Sequence, residues 1–252
     1  MALASYLMSR IPPRWAVPLI AWQYRFFEAE LRRLDEFVPA DRGAIDVGVW
    51  WGPWSWWLSR RVPRVDSFEA NPELVASLMK AMPSNVTLHS VALSDQPGEA
   101  SLWIPSGGVG TEGRSSIEPG WRESGGNQLT VATCRLDDFQ LGDVGFVKID
   151  VEGHEFPVLR GATELLKTRK PNLMVEIEQR SHDETHLDSI IEFLASLSYS
   201  GKFLSRGKWR PIEEFDRKEA QRLGMITAKH GYFTNLALYA RKYVNNFLFT
   251  AD

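Results

Sequence analysis

Asp46, Gly48 and Gly52 stand in the run DVGVWWG (46–52), where a short apolar stretch ends. Glycines in such a turn let the backbone approach a ligand, and a helix starting there offers unpaired amides. Glu69 follows 23 residues after Asp46, at the end of the next apolar stretch. An acid at that place can accept both ribose hydroxyls of a nucleoside cofactor. Dinucleotide sites prefer GxGxxG, which is absent here, and the Asp46 carboxylate would repel a pyrophosphate. It suits a cationic ligand bearing an amino acid. S-adenosyl-L-methionine, with its sulfonium and ammonium groups, is therefore expected ahead of a nicotinamide. The plainer alternative is that Asp46 caps a turn and Glu69 is a solvated strand end.

Three further groups could do chemistry. In KIDVEGHE (148–155), Asp150 and Glu152 close a predicted strand. Ligands of open parallel sheets lie beyond the carboxyl ends of the strands, so both acids should face the same crevice as Asp46. There they could orient a methyl donor, accept a proton or hold a metal. Glu176 and Glu178 share one strand face by alternation, with His182 in the loop that follows. His182 is a plausible general base, and Glu178 could orient its imidazole. Asn245 and Asn246 precede the apolar run Phe247–Phe249, and their amides could bind a sugar-like substrate. Solvated turns and an exposed histidine are the bland readings of these groups. No ligand spacing demands a metal.

The elements that must position these residues are short. Strands are predicted over 44–47, 65–68, 86–91, 146–151 and 173–177, with helices over 54–61, 72–82, 155–167 and 184–197 between them. This alternation argues for a mostly parallel sheet with helices on both faces. Strands over 100–104 and 129–133 interrupt it and flank a Gly/Ser-rich segment, 106–127, read as a mobile substrate loop. Residues 1–40 form a helical lead-in, in which 24–38 has the periodicity of an amphipathic helix. Packing onto the main domain, 41–252, is preferred there over a membrane-surface role.

The chain has 252 residues, a net charge of −3 and one cysteine, Cys134. That excludes an internal disulfide framework and weighs against nucleic acid as partner. No apolar run approaches the roughly 20 residues of a spanning helix, so a cytoplasmic protein with no integral membrane segment is expected. Ten tryptophans are present, and Trp50, Trp51, Trp54, Trp56 and Trp57 crowd into eight positions. At least one of Trp50 and Trp51, inside the glycine loop, should border the cofactor or substrate. Trp54 and Trp57 should be buried on the sheet, with Trp56 turned elsewhere.

Six motifs in order carry a family resemblance: DVGVWWG (46–52), FEANP (68–72), VALSDQPG (91–98), TCRLDDF (133–139), VKIDVEGHEFPVLRGA (147–162) and PNLMVEIE (171–178). Together they resemble the FkbM methyltransferases, a branch of the class I S-adenosylmethionine-dependent enzymes. The resemblance implies a Rossmann-like fold with a seven-stranded sheet and a reversed last strand. It implies that Asp46, Gly48 and Gly52 line the methionine side of the donor and Glu69 takes its ribose. Ala92, Leu93 and Ser94 would lie near the adenine, and Asp150 by the amino-acid part or the reacting oxygen. The chain departs from the family pattern at Val49-Trp50, where Ala-Asn is frequent, replacing a polar contact by an aromatic wall. The expected activity is O-methylation of a saccharide, glycolipid or natural-product hydroxyl. Asp150 or His182 would be the base, and Glu152, Glu176, Asn245 and Asn246 would meet the acceptor. A nicotinamide-dependent oxidoreductase and a non-catalytic cofactor-binding module are the alternatives.

Overall fold

A computed structural model describes residues 7, 10–105, 112–118, 126–178, 186–221 and 243–251. Five parallel strands, β1 (Gly43–Val47), β2 (Val65–Glu69), β3 (Val86–Ser90), β7 (Val144–Ile149) and β8 (Asn172–Glu176), form the heart of the sheet. A small second sheet holds β4 (Ala92–Leu93), β5 (Gly98–Pro105) and β6 (Gly126–Cys134) in the order β4-β6-β5. The main sheet is completed by β9 (Tyr199–Ser205), β10 (Lys208–Pro211) and β11 (Asn246–Ala251), giving the order β10-β9-β11-β8-β7-β1-β2-β3.

The strand β11 runs antiparallel to both of its neighbours, β8 and β9. The reversed last strand is therefore present, and β9 keeps the common direction. The expected seven strands become eight because β9 turns back into β10 as a hairpin, Lys208 pairing with Ser205.

Every residue of β1 and β7 is buried. Such strands read as continuous apolar runs because helices cover both faces of the sheet. Alternate side chains feed two cores. Ile45, Val147, Val175 and Phe247 pack with Val158, Leu159, Leu166, Ile190 and Leu194. Ala44, Phe146, Met174 and Leu248 pack with Leu31, Leu34, Phe37, Trp54 and Leu58.

Two sequence expectations change. The helix expected over 24–38 is instead a helix Pro13–Tyr24, a 3-10 turn Ala29–Arg32 and one helical turn, Leu34–Phe37. Pro13 suits a first helical position, where no amide partner is needed. Glu28 is extended, with its carboxylate bonded to the Trp54 indole, and this tertiary contact overrides the helical periodicity. The helix expected over 155–167 divides into Glu155–Arg160 and Thr163–Arg169. The break falls at Gly161, where a Cβ would lie 2.0 Å from the Ser94 carbonyl oxygen. The passing backbone of Ser94 thus requires glycine here, and the Gly161 carbonyl accepts the Asp137 amide at 3.0 Å.

Candidate active site

The order of strands reverses between β1 and β7, and at their carboxyl ends an open cleft of about 630 Å³ is found. Such a switch point is where ligands of open α/β sheets bind. Its walls include Gly48, Trp50, Glu69, Ala92, Leu93, Asp150 and Glu152. Those seven expected site residues thus meet in one place.

The glycine loop is held by Glu69. One carboxylate oxygen accepts the Trp50 amide at 3.0 Å and the other accepts the Asn71 amide at 2.8 Å. Burial raises the Glu69 carboxyl above its usual range, against these amide bonds. Gly48 has φ +83°, and a Cβ on it would lie 1.7 Å from the Asp150 carbonyl oxygen. Glycine is therefore needed for both conformation and space. Trp50 itself has φ 49°, an uncommon conformation for a bulky residue. Its ring contacts Tyr24 with centroids 5.4 Å apart, and its buried Nε1–H has no hydrogen-bond partner among the described residues.

Other expected residues lie elsewhere. Asp46 is 1% exposed, and its carboxylate accepts the Ser55 hydroxyl at 2.5 Å rather than lining the cleft. Burial pushes its carboxyl up to about 6, opposed by Ser55 and Lys148. Gly52 caps the helix Pro53–Leu58 at φ +79°, where a Cβ would meet Met82 Cε at 2.0 Å. Its role is turn formation and packing beneath the cleft. Ser94 is buried behind the wall, 2.9 Å from His154 Nε2. Glu178 is also buried, outside the cleft lining. His182 lies outside the described residues, as does most of the segment 106–127.

Asn245 and Asn246 line a second open cleft, of about 1450 Å³, between residues 27–33, the β9–β10 turn and 243–246. Lys148 stands between the two clefts, fully buried. Its Nζ donates to Asn246 Oδ1 at 2.8 Å and lies 3.6 Å from Glu176 and 4.0 Å from Asp150. Asn245 donates to Glu176 at 2.6 Å. Burial alone would lower the Lys148 ammonium, yet Asp150, Glu176, Glu28 and Asp46 hold it above its usual value. Burial, followed by the charge of Glu176, drives the Asp150 carboxyl well above the carboxylate range, with Lys148 opposing. Burial likewise pushes Glu28 up to about 8.

Sequence reasoning gave no role to Glu28, Lys148 or His154. Lys148 had a signal: a lysine at a buried position in an apolar strand must be paired. His154 joins two parts of the cleft. Its Nδ1 lies 2.5 Å from Glu118 Oε1, a contact that needs the proton on Nδ1 if Glu118 is ionised. Ser116, two residues earlier, donates to the Glu152 carbonyl at 2.7 Å and pairs with the backbone of Trp103. These bonds fix Gly113, Ser115, Ser116 and Ile117 as one wall of the cleft. Nothing in the sequence pointed to that pairing, since Glu118 and His154 are 36 residues apart.

The profile of the Methyltransferase FkbM domain matches residues 28–200, more than half of the chain. No curated protein matches in sequence. Among solved structures, the methyltransferase FkbM from Methylobacillus flagellatus KT superposes with a TM-score of 0.50 at 13% identity. The match covers 98% of this chain and 57% of that one, so this chain spans little more than half of that protein. A Streptococcus mutans protein assigned as a methyltransferase, solved in complex with SAH, gives 0.46 at 10% identity, covering 90% of this chain and 97% of that one. The precorrin-6y C5,15-methyltransferase from Geobacter metallireducens GS-15 gives 0.45 at 14% identity, covering 89% and 86%.

Proposed function

This chain belongs to the FkbM methyltransferase domain family, and from that premise we propose that it methylates a hydroxyl of a saccharide, glycolipid or natural product. Its cofactor is S-adenosylmethionine, which when bound supplies a methyl group made electrophilic by a sulfonium. Hydride transfer and a purely binding role are the weaker readings for a chain of this family.

The residues of the first cleft suit that cofactor. Glu69 keeps lone pairs for ribose hydroxyls while it braces the glycine loop. Ala92, Leu93 and Leu102 offer an apolar wall for an adenine. The Nε1–H of Trp50, unpartnered among the described residues, is a donor suited to an acceptor such as a ligand carboxylate. Asp46, bonded to Ser55 beneath the loop, acts through its negative charge and through the loop's position.

The observation that carries O-methylation is Asp150. It borders the cleft at the switch point, and burial and the charge of Glu176 raise its carboxyl above the usual value, which makes the carboxylate a stronger base. A hydroxyl is a poor nucleophile until its proton leaves, and a base within hydrogen-bond reach helps by about 10²–10⁴-fold. Asp150 takes that proton, and Lys148 stabilises the ionised carboxylate. Holding acceptor and donor in line contributes a further ~7–11 kcal/mol. Glu28, Asn245 and Asn246, which line the second cleft, offer carboxyl and amide groups suited to a hydroxylated acceptor. His182 remains a second candidate base, with Glu178 as its partner. The lone cysteine fits a reducing compartment, which we take to be the cytoplasm.

The test is methyl transfer from labelled S-adenosylmethionine to a panel of glycans, glycolipids and small hydroxylated compounds, read by mass spectrometry. Methylation at oxygen supports the reading. Product methylated only at nitrogen or carbon overturns it.

A further inference from the structure

The helix Pro13–Tyr24 is apolar on two sides. Its inner face, Ala16, Val17, Ile20 and Ala21, is buried against Val49, Trp51, Leu74 and Leu78. A surface helix should then be polar on its outer face. Here the outer positions are Trp15 at 62% exposure, Leu19 at 50% and Trp22 at 59%, at i, i+4 and i+7. Phe26, just past the helix, is 54% exposed and stacks edge-on with Trp22 at 4.9 Å. Among the described residues five large apolar side chains are this exposed, and four of them lie in this one stripe. Single exposed apolar residues are ordinary, whereas a contiguous stripe marks an interaction surface.

The charge around the stripe identifies the partner. Residues 1–27 contain Arg10, Arg14 and Arg25 and no acidic residue, in a chain whose net charge is −3. Arg10 and Arg14 are exposed, and the Arg14 guanidinium lies 5.9 Å from the Trp15 ring centroid. Tryptophan and phenylalanine with flanking arginines are the composition of helices that lie in a lipid interface, with aromatic rings at headgroup depth. No described helix is long and apolar enough to cross a membrane, and lying on the surface needs no such length.

We infer that the Trp15–Leu19–Trp22–Phe26 face docks this protein onto an anionic lipid surface, with Arg10 and Arg14 at the headgroups. The inner face stays packed on the domain throughout. The docking surface also adjoins the active site: Tyr24, the last residue of the helix, touches Trp50 on the cleft wall, and the Trp57 indole donates to the Ala21 carbonyl at 2.7 Å. An acceptor held in the lipid surface would be presented near the cleft. The inference stands whether or not the acceptor is a lipid.

The test is sedimentation of the full chain with phosphatidylcholine vesicles, with and without about a third phosphatidylglycerol, and requires no activity. Expected is binding to the anionic vesicles, with quenching of tryptophan emission by lipids brominated at shallow positions. Trp15→Ser with Trp22→Ser should weaken binding at least tenfold. Arg10→Glu with Arg14→Glu should weaken it by on the order of fivefold per arginine. Circular dichroism checks that each variant folds, and brominated-lipid quenching of the unaltered chain decides the matter if one does not. Absence of binding overturns the inference, as does binding that neither pair of substitutions changes. A stable dimer in solution that Trp22→Ser dissociates, without vesicle binding, also overturns it, and assigns the face to a second copy.

Discussion

Glu28 Oε2 accepts the Trp54 indole N–H at 2.6 Å, a bond between the lead-in and the first helix after the glycine loop. It closes the lower core at the point where Trp54 stacks on Phe146. Lys148 lies above the same indole, its Nζ 5.3 Å from the ring centroid. The residue that sets the floor of the second cleft thus comes from a segment whose periodicity suggested only a packed helix.

That burial has a pH signature. Glu28 is pushed from 4.5 up to about 8 by burial, with Lys148 opposing. A carboxyl whose folded-state pKa is raised contributes stability that is fully present below its unfolded pKa. The contribution is lost as pH rises through the folded value. Glu28→Gln removes this slope and leaves an oxygen for Trp54. Thermal melts at pH 5, 6, 7 and 8 should show the variant gaining on the unaltered protein as pH rises. A constant difference would contradict the burial argument.

Asp46 should behave likewise over a lower window. Its carboxyl moves from 3.8 to about 6 on burial, a change of about 3 kcal/mol between its two limits. The stabilising share is present below pH 3.8 and disappears towards pH 6. Asp46→Asn should flatten urea-denaturation stability across that interval. It should also weaken S-adenosylmethionine binding measured by calorimetry, because the charge beneath the loop is gone.

Gly48→Ala sets a Cβ against the Asp150 carbonyl at φ +83°. Either β1 and β7 separate at the switch point or the loop refolds. A loss of more than ~2 kcal/mol in stability is expected, with cofactor binding undetectable by calorimetry. Near-normal values for both would show that the strand ends are slack.

Trp50 lines the cleft, whereas Trp51 is 8% exposed and belongs to the core beneath the lead-in helix. Cofactor addition should therefore quench fluorescence mainly through Trp50. Trp50→Ala should reduce the quench and weaken binding roughly three- to tenfold, the value of one hydrogen bond. An unchanged quench would move the cofactor away from this wall.

Asp150→Asn keeps the shape of the site and removes the base. Turnover should fall by about 10²–10⁴-fold, with cofactor affinity changed far less. The pH-rate profile should lose the limb that Asp150 controls. Equal losses in binding and turnover would make Asp150 a cofactor ligand rather than the base, and leave His182 as the candidate.

Much of the architecture is legible in the sequence because its causes are local. Apolar runs of four to six residues separated by helical patterns fix alternating strands and helices, and Asp46-Val-Gly48 and Glu69 mark where two strands must end. The parallel sheet and the grouping of Gly48, Glu69 and Asp150 follow from those patterns and from the topology that right-handed crossovers allow, whereas the reversed last strand is implied by the family resemblance. Only the tertiary structure decides matters that depend on residues distant in sequence. It turns Asp46 inward to Ser55, divides the helix at Gly161 where the Ser94 backbone passes too close for a side chain, and ends the lead-in helix at Tyr24 so that Glu28 can reach Trp54. It also divides the tryptophans: Trp50 to the cleft, Trp51, Trp54, Trp56 and Trp57 to packing around the lead-in, and Trp15 and Trp22 to the surface. A side chain's type states what it can bond to, but which face of a fold it occupies is set by the elements packed around it.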